Sequence, residues 1–199
     1  MPTTDVSSLE PLTPAVVTRS DEVGEATTIP QPLKPEAQQH LNHDAHRRWR
    51  ASTSLEFLKK VNGFDVLETR TDEARTVFYV LEVHLSRPTT AASALRVERS
   101  FTEFEELRQG IQSVVSTVPP CTCQYCLDFL VYVRFNLFQP RGVVKLIAGT
   151  QTRKKILAQF MGDMVAMGRR RVEKAGKREC DAQLLIPILL DEFLRGTVR

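Results

Sequence analysis

Apolar and polar residues along this chain change rhythm once, near residue 100. Before that point they alternate with a period of two: FDVLE from Phe64 to Glu68, TVFYVLEVHLS from Thr76 to Ser86, and SALRVERS, where Leu95 and Val97 alternate with Arg96 and Glu98. A two-residue period puts successive side chains on opposite faces of a strand, and β-branched and aromatic residues suit the pleat. The polar TRTDEAR stretch between the first two runs predicts a hairpin loop, and the three runs together predict three antiparallel strands.

Beyond residue 100 the period lengthens. Phe101, Phe104, Leu107, Ile111 and Val114 recur at three and four, one stripe of a helix. Ser100 with Glu103, or Thr102 with Glu105, has the S/T-x-x-E form in which two side chains satisfy free backbone donors at a helix start. Consecutive prolines in STVPP end that helix. Ile156, Leu157, Phe160, Met161, Met164 and Val165 predict a second helix from about Thr152 to Met167. After the polar connector GRRRVEKAGKRE, IPILLDEFLRG predicts a last helix with Pro187 in its first turn and Gly196 at its end. Strands followed by helices indicate the α+β class: a three-stranded antiparallel sheet packed against a helical subdomain. The apolar LDFLVYVRFNLF segment either packs on that core as an extra helix or strand or meets a bilayer interface.

Residues 1–53 show no sustained apolar period and are rich in Pro, Ser, Thr, Gln and charge, so they are expected to form a disordered arm ahead of a domain at 54–199. The end of that arm, HDAHRRWR, reads as a solvated junction, or as a basic patch with an interfacial indole for an anionic surface.

Charge and composition narrow the function. A formal net charge of +3 is too small for the basic face that duplex nucleic acid requires, so no nucleic-acid partner is expected. The longest apolar-rich stretch is broken by Asp128, Arg134 and Asn136, and the N-terminus lacks the pattern of a secretory signal, which points to a cytoplasmic protein. Gly-rich phosphate loops, Gly-x-Ser-x-Gly elbows and His-Glu-x-x-His are absent; neither enzymatic activity nor a cofactor is expected. Cys121, Cys123 and Cys126 form a Cys-x-Cys-x-x-Cys cluster. It reads as reduced structural thiols, with no metal assigned, or as three ligands of a zinc site whose fourth would come from Cys180, His40, His43, His46 or His84.

Over about residues 55–196 the layout, with VERSFTEFEEL and TRKKILAQFMGDMV, resembles the phox-homology (PX) domain, a phosphoinositide-binding module. The resemblance rests on an arginine-aromatic-x-x-Phe entry to the first helix, a proline-containing segment, an R-x-x-x-L-x-x-F-L helix in which Met161 replaces the final leucine, and a terminal helix carrying FL. It implies that an arginine immediately before the aromatic grips the 3-phosphate while the aromatic, here Phe101, stacks under the inositol ring. Position 100 is serine, and Arg99 stands one residue earlier. The resemblance further implies that Arg153 contacts the inositol hydroxyls and that Lys145 or Arg141 meets the 1-phosphate. The expected function is phosphoinositide-dependent targeting to endosomal-type membrane, with preference for 3-phosphorylated lipid. The alternative, motivated by Ser100, is a degenerate PX-like fold that serves as a protein-interaction scaffold.

Overall fold

The computed structural model describes residues 35–86, 94–117, 121–172 and 180–196. The alternating runs form β1 (Val61–Thr71), β2 (Val77–Leu85) and β3 (Ala94–Ser100), antiparallel in the order β1-β2-β3. Bulges between Val61 and Gly63 and between Val66 and Glu68 interrupt the β1 register. On the central strand Tyr79, Leu81 and Val83, alternate residues of one face, enter the common core with the helices.

Two helices follow the expected periods. α2 (Phe101–Val115) buries Phe101, Phe104, Leu107, Ile111 and Val115, so Val115, not Val114, completes its stripe. α3 (Gln124–Phe135) and the short α4 (Gly142–Ile147) occupy the segment whose secondary structure the sequence left open. α3 buries Tyr125, Cys126, Phe129 and Val133 while Leu127, Val131 and Phe135 remain exposed, so LDFLVYVRFNLF packs as a helix through only one of its faces. α5 (Thr150–Gly168) buries all six apolar residues of its predicted stripe. The fold is α+β, as expected.

Two expectations need correction. Residues 35–53, assigned to a disordered arm, belong to α1 (Pro35–Lys60); the remainder of that assignment, residues 1–34, lies outside the described residues. α1 packs against the last helix, α6 (Asp181–Arg195), through Ala51, Ser54, Leu55 and Leu58, a helical spacing that two small residues make faint in the sequence. Polar contacts complete the seam. Arg47 pairs with Asp181 and Arg50 with Glu192, and the Ser54 hydroxyl donates to Asp191 Oδ2 at 2.8 Å. Arginines read as a solvated or membrane-facing junction therefore tie α1 to α6.

The second correction concerns Pro187, which lies inside α6 instead of in its first turn. An interior proline leaves the carbonyl four residues earlier without its helical donor. Here that carbonyl, Gln183, accepts from Arg171 Nη1 at 2.5 Å, and the Gln183 amide exchanges hydrogen bonds with the Val172 backbone at 3.2 and 3.3 Å. The segment leaving α5 thus supplies the donor that proline lacks. α6 ends as expected at Gly196, whose φ of 71° is left-handed and whose N–H donates to Glu192 O at 3.1 Å.

Candidate functional site

The junction of β3 and α2 is built around Ser100. Its backbone is extended, with φ −73° and ψ 158°; its hydroxyl accepts from Glu103 N at 3.3 Å, and Glu103 Oε2 accepts from Ser100 N at 2.7 Å. This reciprocal pair is the capping box, and it selects Ser100–Glu103 from the two registers the sequence allowed. Glu105 instead accepts from Gly142 N at 3.1 Å, holding the start of α4 against α2.

Of the five expected ligands, the fold gathers three. Phe101, Lys145 and Arg153 line one pocket of about 320 Å³, together with Arg75, Thr76, Val77, Tyr79, Ser100 and Thr102. Lys145 reaches the pocket from α4 and donates from Nζ to Thr102 Oγ1 at 3.4 Å. Arg153 enters from the first turn of α5, whose position is fixed by Arg153 N donating to Gly149 O at 2.9 Å. Phe101 is only 3% exposed and forms the floor, its ring centroid 6.4 Å from that of Tyr79.

Arg99 and Arg141 lie elsewhere. Arg99 shares a sheet face with its cross-strand partner Tyr79, but its guanidinium is drawn toward α6 and not into the Phe101 pocket. Its Nε and Nη2 donate to Phe193 O at 3.1 and 2.7 Å, Nη1 lies 3.5 Å from Glu103 Oε1, and the guanidinium stands 5.1 Å from the Phe193 ring centroid. Arg141 Nη2 donates to Val133 O and Arg134 O, each at 2.9 Å, satisfying carbonyls in the last turn of α3. Both guanidinium groups hold the fold together, at β3–α6 and at α3.

The pocket also contains residues that sequence reasoning missed. Arg75 sits in the Asp72–Thr76 hairpin turn, held by Arg75 N donating to Asp72 O at 3.0 Å and Thr76 N to Asp72 Oδ1 at 2.7 Å. Its φ of 62° is left-handed, a conformation that costs a non-glycine residue about 1–3 kcal/mol and is therefore imposed by the turn. The sequence marks the turn but not the distance from it to Arg153. Tyr79 reads in sequence as strand core, and it is fully buried, with its hydroxyl facing the Arg153 guanidinium. Burial raises the Tyr79 pKa, and Arg153 opposes the rise through its charge and a side-chain hydrogen bond. Arg153 Nε is buried without a hydrogen-bond partner.

Arg75, Lys145 and Arg153 are cationic, and no carboxylate lines the pocket. Among the described residues, neither Arg75 nor Arg153 forms an ion pair. Buried polar atoms in native proteins nearly always have partners, so Arg153 Nε marks a place where an acceptor from outside the chain, water or ligand, completes the wall. The arrangement suits capture of a multiply charged anion, with fixed donors and nothing acidic to repel it.

Comparison with protein-family models, curated proteins and solved structures finds no match. The site must therefore be read from its own chemistry. No helix among the described residues is long and apolar enough to cross a membrane. On α4 and in the segment leading to it, however, Phe135, Leu137, Phe138, Val143, Leu146 and Ile147 are exposed, Leu146 at 85%. α4 buries none of its residues and carries Lys145 between Val143 and Leu146, so one short helix joins the cationic pocket to an apolar surface.

Proposed function

We propose that this chain is a PX-like module that recruits itself to cytosolic, endosomal-type membrane by holding a phosphoinositide headgroup, of the 3-phosphorylated class, in the pocket of Arg75, Lys145 and Arg153. The observation that carries the reading is the meeting of three cations and one unpartnered buried guanidinium Nε in one acid-free hollow. Its volume of about 320 Å³ falls at the small end of ligand sites, about 300–1,000 Å³, which suits a sugar phosphate. Arg75 takes over the charge that the PX pattern places at position 100. Arg153 and the Tyr79 hydroxyl meet the ring and its phosphate oxygens, and Lys145 meets the phosphate nearest the bilayer. The exposed residues around α4 then dip into the interface as the headgroup enters.

Flotation of the full chain with vesicles containing each phosphoinositide in turn tests this reading. Binding should appear at low salt, be strongest for 3-phosphorylated lipid, and weaken as salt screens the charges. No phosphoinositide-dependent flotation at low ionic strength removes the proposal.

A second reading, the scaffold without lipid binding, is favoured by one observation: Ser100 is committed to the capping box, and Arg99 is committed to Phe193. Ser100→Arg separates the two. A charged hydrogen bond contributes about 1.5–3 kcal/mol against about 1 for a neutral one, while loss of the cap costs about 1 kcal/mol of stability. If the pocket already binds lipid, the variant should bind up to about tenfold more tightly and melt earlier; the scaffold reading requires lipid binding to appear only in the variant.

A further inference from the structure

Cys121, Cys123 and Cys126 are close in sequence, but the fourth sulfur comes from the far side of α5. Cys180 stands at the N-terminus of α6, beside Cys123 at the N-terminus of α3. Their Sγ atoms are 3.5 Å apart, Cys126 Sγ lies 3.3 Å from Cys180 Sγ, and all four sulfurs fall within 4.8 Å of one another. We propose that these four cysteines form a tetrahedral zinc site that clamps the start of α3 to the start of α6.

The geometry fits that ion. With zinc–sulfur bonds of about 2.3 Å, the edges of a tetrahedron of sulfurs measure about 3.8 Å, within the spread observed here. A disulfide joins only two sulfurs, whereas Cys180 stands almost equally near Cys123 and Cys126. Cys123 and Cys180 each occupy a helix N-cap position without a side-chain capping bond. Two helix N-termini aimed at one point favour the negative charge of a four-thiolate site. Cys123 and Cys126 are buried, Cys180 is half-buried and Cys121 is exposed, a closed site with one accessible edge. All-sulfur tetrahedral coordination selects soft borderline ions and leaves no open position for catalysis.

The fourth ligand is set in place independently of any metal. The Arg171 and Val172 bonds to Gln183 dock the first turn of α6 beside the end of α5, and Gln183 N donates to Cys180 O at 3.0 Å. Between Cys126 and Cys180 the chain carries α4 and α5, hence Lys145 and Arg153. A metal here closes that loop covalently in all but name. The inference does not depend on lipid binding.

The test uses the full chain purified under reducing conditions without chelator. Elemental analysis should find about one zinc per chain, and exhaustive chelation should lower Tm by at least about 10 °C, restored by added zinc. Cobalt substitution of the natural chain should give the intense visible bands of tetrahedral thiolate coordination, a readout that needs no mutant. Cys180→Ser should lose the metal and those bands. Metal-free protein with four thiols reactive in the folded state, a mass lower by two hydrogens from an internal disulfide, or iron in place of zinc each overturns the proposal.

Discussion

Arg153→Met is expected to reduce phosphoinositide binding by about 10–100-fold, from the about 1.5–3 kcal/mol of a charged hydrogen bond, without lowering Tm. Methionine keeps most of the apolar stem, so the packing of α5 is little changed. What disappears is a charge with no ion pair among the described residues and a buried Nε with no hydrogen-bond partner. A group that the folded protein leaves unsatisfied contributes nothing favourable to folding, and its removal relieves a desolvation cost. Function and stability are therefore expected to move apart, as they do where a site is kept for a ligand at some expense to the fold. Vesicle flotation and a thermal melt on the same preparation check both halves. A variant that binds lipid normally but melts several degrees earlier would make Arg153 structural.

Gly168→Val is expected to cost about 3 kcal/mol, close to the upper end of overpacking, in a domain whose whole stability is of the order of 5–15 kcal/mol. Helix propensity argues the other way, since glycine near a helix end is the poorer former by a few tenths to about 1 kcal/mol. Packing decides. A Cβ at Gly168 would lie 2.6 Å from Leu190 Cδ1, with Ile186 and Leu58 next at 3.8 and 3.9 Å. All three neighbours are fully buried, so none can swing outward into solvent. Denaturant unfolding should show a lower midpoint with an unchanged slope. A variant as stable as the natural chain would mean that α5 and α6 separate more easily than their contact implies.

How much of this was legible depended on whether a contact is announced by period or by proximity. The three strands, α2 and α5 are written in apolar repeats; in α2 and α5 the buried residues match those repeats almost residue for residue, whereas β1 buries only Val61, outside its run. α1 is not written this way, because its buried stripe spends two of four places on Ala51 and Ser54, and its remaining attachment to α6 is ionic. Pro187 misled for a related reason: the donor that makes an interior proline tolerable comes from Arg171, outside the helix. At the site, Phe101, Arg153 and the choice of Lys145 or Arg141 came from the resemblance to the PX pattern, and the fold brings Phe101, Lys145 and Arg153 to one hollow. Arg99 does not join them, since Phe193 O of α6 and Glu103 engage its guanidinium, and Arg75 could not be found, since only the closing of the β1–β2 hairpin carries it there. Cys180 belongs to the same class, a residue whose meaning appears only when two helix ends converge.

Titration of the isotope-labelled full chain with soluble inositol 1,3-bisphosphate, followed residue by residue by NMR, asks whether the pocket holds a headgroup. Saturable shifts are expected at Arg75–Val77, Tyr79, Thr102, Lys145 and Arg153, lost in Arg153→Met. Shifts confined to the Arg99–Phe193 cleft, or none at millimolar headgroup, would contradict binding in the pocket.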